Sequence, residues 1–421
     1  MSLRVLIAIV ALVFGSLLPT PASRVIATGR LAPVQSSAKP QKTKDPVEIP
    51  FELATRHIIL KVNIDGSRPL SFVLDTGDRY AIVDLDRAKE LGLKLRGQIR
   101  VGGAGAETQT GAYVDGSNFT IPGFEGFVQP IRMALPIGSM SKGLGLSFDG
   151  IIGYDFIKEF VVEIDYQARV IKLHDKDQFT YSGPGESIPI SLDWPGHGSG
   201  HPIVEAEVTP TGGAAIKGNY VLDIGSGLAL ALHSPFVKEH GLLAPERKTI
   251  KTFGAGAGGE INARLGRVSE LKIGKFKISN PVTLFSEDTA GALANKSLAG
   301  NIGAQIASKF RVFLDYGRSR IILEPNSSYP DAFDRASAGL RVHAEGPDFR
   351  TFRIKNVLEN APGSEAGLKP DDIITTIEGK PAAQLTLTKL NEMFERPVSY
   401  KLTIKRGEQI LKVTLTPRKL V

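Results

Sequence analysis

The run Phe72-Val73-Leu74 ends at Asp75-Thr76-Gly77, and Tyr220-Val221-Leu222 ends at Asp223-Ile224-Gly225-Ser226. Each run is short and apolar, the pattern of a buried strand. An aspartate that closes a buried strand is costly unless it is hydrogen-bonded or does chemistry. Two of them in one chain point to two carboxylates brought face to face. Other landmarks repeat in the same order. Glycine-rich tips lie at 102–105 and 254–259. Asp149-Gly150-Ile151-Ile152-Gly153 is echoed by Ala299-Gly300-Asn301-Ile302-Gly303. Asp223 follows Asp75 by 148 residues, and Gly303 follows Gly153 by 150. A repeat that keeps its landmarks in register predicts a duplicated lobe far more strongly than either loop alone. Turn and cap signals fill in the rest. Asp65-Gly66 marks a hairpin, 161–164 with 169–173 and 310–314 with 320–323 read as closing hairpins, and Asp84 and Ser234-Pro235 open short helices.

A chain of 421 residues has room for two or three domains. It has no cysteine, which excludes disulfides, thiolate catalysis, Cys-ligated zinc and a lipid anchor on Cys. Such a chain is compatible with an oxidising compartment. Arg4, the apolar residues 5–14 continuing to Leu18, and Thr20-Pro21-Ala22 have the three parts of a secretory signal peptide over residues 1–22. The expected destination is periplasmic or secreted, with Ala27 as a second cleavage point and an uncleaved anchor as the alternative. No other segment is long and apolar enough to read as an integral membrane span. Residues 23–48 read as a flexible linker. The net charge of +7 comes without a dense Lys/Arg cluster interleaved with aromatics, so nucleic-acid binding is not expected.

The two loops resemble the active-site motif of the aspartic proteases, in which each of two lobes supplies one Asp-Thr/Ser-Gly turn. Gly153-Tyr154-Asp155-Phe156-Ile157 and the lobe size resemble the retropepsin-like branch. The resemblance implies a mainly β fold with lobes at 49–180 and 181–325. It implies Asp75 and Asp223 as the catalytic pair, with Thr76, Gly77, Ile224, Gly225 and Ser226 supporting the loops. A polar linker at 326–338 follows. Residues 339–421, with Asn360-Ala361-Pro362-Gly363-Ser364 and Lys369-Pro370-Asp371-Asp372-Ile373-Ile374, closely resemble an α+β PDZ domain of the kind attached to bacterial periplasmic proteases. In such a domain Gly339, Leu340, Arg341 and Val342 form the loop that holds a peptide C-terminus.

Peptide hydrolysis needs a nucleophile and a proton for the leaving amine. Two carboxylates in contact share one proton, because repulsion splits their pKa values. The ionised member activates water and the protonated member polarises the carbonyl. No metal and no cofactor is required, and none is expected. The expected partners are a peptide or unfolded protein substrate and protein C-termini at the PDZ domain.

Some residues depart from the pattern. Ile224 lacks the hydroxyl that would complete a reciprocal lock with Thr76, leaving only its backbone to bond with that residue. Ser226 is placed to bond the outer oxygen of Asp223. Asp78 adds a third carboxylate, which either raises a neighbouring pKa or points to solvent. Asn301 and Gln305 weaken the second Ile-Ile-Gly segment. These changes keep a rival reading open, a catalytically silent bilobal scaffold of the cell envelope that binds peptides. Gly254-x-Gly256-x-x-Gly259 fits a dinucleotide fingerprint only literally, since strand-like residues follow it. His197 and His201 read as a solvated loop, not a metal site, because glycines separate them. Trp194 either lines a cleft or packs between lobes.

Overall fold

The computed structural model describes residues 45–421 except Ala104, Ala106, 196–197, 257–258 and Asp334, together with the two-residue strands at 9–10 and 13–14. The rest of the expected signal peptide, and the expected linker up to residue 44, lie outside the described residues. So does His197.

The fold is mainly β, as the repeat predicts. Each lobe is built on one large sheet, and seven strands follow the same order across both. In the first lobe these are His57–Ile64, Leu70–Leu74, Gly150–Ile152, Ile82–Asp84, Met133–Leu135, Gln109–Val114 and Leu95–Gly103. In the second they are Gly198–Thr209, Ile216–Asp223, Gly300–Gly303, Leu230–Leu232, Val282–Ser286, Gly259–Arg267 and Ile250–Gly256. Each aspartate-bearing strand lies parallel to the later Gly-Ile-Ile or Gly-Asn-Ile strand. Covered on both faces, such strands read as continuous apolar runs and not as alternation.

A six-stranded sheet ties the lobes together. At its centre Phe160–Asp165 pairs antiparallel with Phe310–Asp315, each strand coming from the closing hairpin of its own lobe. One apolar core runs through both lobes, from Ile49 to Phe333. Five aromatic rings of the first lobe, Phe119, Phe124, Phe127, Phe156 and Phe160, pack edge-on, tilted or stacked within it. Burying each such ring contributes about 1.5–3 kcal/mol. The shared core fixes the relative position of the two loops that each lobe presents.

Residues 326–333 are polar in composition but strapped to the second lobe. Lys309 Nζ donates to the carbonyls of Ser328 and Asp331, and Tyr329 packs on Phe276 and Phe310. The C-terminal domain has its own core, from Ala338 to Leu415, under a sheet edged by Leu340–Glu345 and flanked by the helix Leu387–Phe394. Asp371, where a glycine is usual, has a left-handed φ of 70°. That is the backbone position for which glycine is favoured and aspartate is tolerated.

This domain is docked on the lobes. Glu395 ion-pairs with Arg56 of the first lobe and with Arg335. The Thr55 N–H donates to Thr388 Oγ1 at 3.1 Å. Arg267 of the second lobe donates to the carbonyls of Phe333 and Val421.

Candidate active site

Asp75 and Asp223 are fully buried and face one another. The approach is close enough that a Cβ on Gly225 would lie 2.0 Å from the Asp75 carboxyl carbon. A Cβ on Gly77 would lie 3.0 Å from an oxygen of each aspartate. The loops therefore need glycine here for space.

Each carboxylate has one fixed oxygen. Asp75 Oδ1 accepts from the Gly77 N–H at 2.7 Å. Asp223 Oδ2 accepts from Asn301 Nδ2 at 2.9 Å. Asp75 Oδ2 and Asp223 Oδ1 have no donor in good hydrogen-bond geometry among the described residues. Burial, then the negative charges of Asp223 and Asp78, push the Asp75 carboxyl well above the usual range. Burial also raises Asp223, to about 6, against the Asn301 amide, the Asp75 carboxyl and the backbone of Ser226 and Gly225, which favour its charged form. The physical result is a pair that keeps a proton well above the pH at which free carboxyls lose theirs.

Thr76 locks the loops together from one side. Its Oγ1 donates to the Leu222 carbonyl at 2.6 Å and accepts from the Ile224 N–H at 3.0 Å. Ile224 itself is buried in the shared core, so its side chain serves packing. Ser226 does not do what its position in the motif predicts. Its buried hydroxyl has no partner among the described residues, and Asn301 bonds the Asp223 oxygen instead. Asn301 and Gln305 do not weaken the second segment. Gln305 Nε2 donates to the Gly227 carbonyl and braces the loop.

Asp78 does not point to solvent. It is buried, accepts from the Tyr80 N–H at 3.3 Å, and burial raises its pKa strongly, with Asp155 and Asp223 adding to the shift. Asp155 is itself raised to about 6 by burial. His201 is no solvated loop residue either. It is buried beside Gly77, and burial and the Arg79 charge lower it to about 4. His57, not singled out by its sequence, has a matching place in the other lobe. It is buried beside Gly225 and Gly227, donates to the Ala54 carbonyl from Nδ1 at 3.2 Å, and burial lowers it to about 4. Each lobe thus sends a neutral imidazole to the other lobe's loop.

Gly254, Gly256 and Gly259 lie in the paired strands Ile250–Gly256 and Gly259–Arg267, with no helix directly after them among the described residues, which removes the dinucleotide reading. Asp84 caps the helix Leu85–Glu90 as expected, accepting from the N–H groups of Asp86 and Arg87. Trp194 ends the strand Ser191–Trp194, which pairs with Gly198–Thr209.

In the C-terminal domain Gly339 has a left-handed φ of 66° and packs under Ala361 and Leu358. Leu340 and Arg341 pair with Val357 and Asn356, and Val342 is buried in the domain core. The groove between Leu340–Glu345 and Leu387–Phe394 is covered by the first lobe. The helix Ser141–Leu144 packs on that strand, and a Cβ on Gly145 would meet Leu387 Cβ at 2.5 Å. A cavity of about 250 Å³ runs beside it, lined among others by His57, Gly227, Leu228, Arg341 and Phe394. It joins the edge of the second aspartate loop to the C-terminal domain.

Residues 60–156 match the family model described as aspartyl protease, and residues 331–411 match the one described as PDZ domain. No curated protein matches the chain. Among solved structures it is similar to the crystal structure of the HtrA3 PDZ domain bound to a phage-derived ligand, FGRWV. The identity there is 21%, over 20% of this chain and 86% of that one, with a TM-score of 0.19. The chain carries a retropepsin-like aspartyl protease domain and a PDZ domain.

Proposed function

We propose that this aspartyl protease domain, completed by its second lobe, is an endopeptidase in which Asp75 and Asp223 together activate a water molecule. The observation that carries the reading is the pair itself: two buried carboxylates, from loops in matching positions, each with one fixed oxygen and one open oxygen. In the reaction the ionised carboxylate takes a proton from water as the water oxygen bonds to the scissile carbonyl carbon. The protonated carboxylate gives its proton to the carbonyl oxygen. On collapse of the tetrahedral species the C–N bond breaks, the amine leaves with a proton from one carboxyl, and a hydroxyl of the gem-diol returns its proton to the other carboxylate as the product carboxyl forms. One shared proton is left, as at the start. The surrounding acids support this, because their charges and their burial keep that proton in place.

The PDZ domain is proposed to take extended chain ends by strand addition along Leu340–Glu345. The covering segment 141–145 must then move aside. Export through the N-terminal segment belongs to the same proposal. Its check is the N-terminal residue of the mature protein, with cleavage after Ala22 or Ala27 expected.

The rival reading as a silent scaffold rested on Ile224 and Asp78. Thr76 keeps its bond to the Ile224 backbone, and Asp78 is part of the acidic cluster, so neither residue argues for a dead site. The deciding experiment is cleavage of an unfolded protein between pH 4 and 7, with and without a statine-type inhibitor. Wild type should cleave and be inhibited, while Asp75→Asn and Asp223→Asn should fold and be inert. Turnover by either variant at the wild-type rate would overturn the mechanism.

A further inference from the structure

The two lobes hold their aspartates differently, and the pairing register locates the difference. Ile151 lies opposite Val73, two residues before Asp75, and Asn301 lies opposite Val221, two residues before Asp223. Ile82 lies opposite Ile151, and Ala231 opposite Asn301, so Asp84 and His233 also occupy equivalent positions at the start of a helix. In the first lobe Asp84 turns outward, to the helix N–H groups and to Gly138. Ile151 is apolar, and Asp75 receives no side-chain amide. In the second lobe His233 makes no cap. Its Nε2 meets Asn301 Oδ1 at 2.7 Å, and Asn301 Nδ2 meets Asp223 Oδ2 at 2.9 Å. Both residues are buried.

The hydrogen bonds fix one another's direction. A carboxylate only accepts, so Asn301 turns its NH₂ toward Asp223 and its oxygen toward His233, which must then hold its proton on Nε2. Burial keeps that imidazole neutral, at about 4. The fold does not require this chain of polar groups, because Ile151 and Asp84 fill the same two positions without it. The Ser226 hydroxyl makes no bond among the described residues.

We propose that Asn301, held by His233, is a positioning residue that makes the pair unequal, keeping the negative charge on Asp223 and leaving the shared proton on Asp75. This rests on the endopeptidase reading for its consequence in catalysis, but not for its consequence in titration. The donor to Asp223 Oδ2 is strongest when that carboxylate is charged. Among the described residues the N–H that Asp75 accepts from is that of Gly77, and besides Asp223 the ionisable groups that interact with it are Asp78 and Tyr316. Asp155 acts on the pair through Asp78, and His57 and His201 stand behind the loops as neutral rings.

The test is the titration of the aspartate carboxyls by ¹³C NMR in the full chain, with Asp75→Asn and Asp223→Asn used to assign the two resonances. Asn301→Ile, which copies the first lobe, should raise the pH at which the pair loses its first proton by about one unit, as loss of a hydrogen bond to the charged form requires. The acid limb of the kcat/KM profile should rise with it, and kcat should fall about tenfold with KM nearly unchanged. His233→Phe keeps the ring volume and should shift the titration the same way by less. Should Asn301→Ile not fold, His233→Phe decides alone. A lower melting temperature with an unchanged titration would reduce Asn301 to a structural role and overturn the proposal. A shifted titration in a protein whose wild type never cleaves would leave this assignment standing and sink the endopeptidase reading.

Discussion

At the positions equivalent in the two lobes, the first lobe turns its polar side chains away from its aspartate, and the second turns them toward its own. In the first, Asp149 accepts from the Ser71 N–H, Ser147 and Arg87, and Asp84 caps the neighbouring helix. In the second, the matching positions hold Ala299 and His233, and the polar link runs inward through Asn301 to Asp223. The same strand order therefore carries two different electrostatic settings. A duplicated frame fixes where two carboxylates meet, and a few substitutions inside it decide which of them holds charge.

The largest expected effect tests how unequal the two loops are in space. Gly225→Ala drives a Cβ into the Asp75 carboxyl and should cost about 3 kcal/mol and all turnover, while Gly77→Ala, with contacts at 3.0 Å, should cost about 1 kcal/mol. Equal losses in denaturant melts would break the comparison. Thr76→Val comes next. It strips the Leu222 carbonyl and the Ile224 N–H of their buried partner and should cost about 2 kcal/mol, read from the same melts. Asp84→Ala should cost about 1 kcal/mol for the lost cap and leave the aspartate titration unmoved, unlike His233→Phe at the equivalent position. A shifted titration in Asp84→Ala would show that the lobes are not separate in the way described.

Asp78→Asn gives an effect that depends on pH. Burial raises Asp78 in the folded protein, so its charged form costs stability. The sign follows from proton linkage. Below the unfolded value of 3.8 both states are protonated and the cost is absent, and as pH rises from there the folded protein loses stability relative to the variant. The variant should therefore melt higher at pH 7, with the gap closing toward pH 4. A gap that widens in acid would contradict the burial of this carboxylate.

Much of this was legible in the sequence. Two apolar runs ending in Asp-x-Gly, with matching glycine-rich tips and closing hairpins, were enough to predict the lobes, the facing aspartates and the Thr76 bond to the Ile224 backbone. Asp84 followed from cap chemistry. What was not legible depended on partners far along the chain. Asn301 reads as a flaw in an apolar strand until His233 and Asp223 are brought to its two ends. Its one signal is that a buried amide must be satisfied by something. Ser226 sits at the right sequence distance, but its hydroxyl has no partner among the described residues. His201 lies among glycines that suggest a loop, yet the strand carries it across to Gly77. Asp78 looks like surface beside Arg79, and only the fold sets it against Asp155.

The central claim is that the two aspartates are unequal, and the most direct measurement is the titration of each carboxyl when its partner is neutral. In Asp75→Asn the lone Asp223, still bonded to Asn301, should lose its proton at a pH about one unit or more below that of the lone Asp75 in Asp223→Asn. Identical titrations of the two single carboxyls, or a lower value for Asp75, would contradict it.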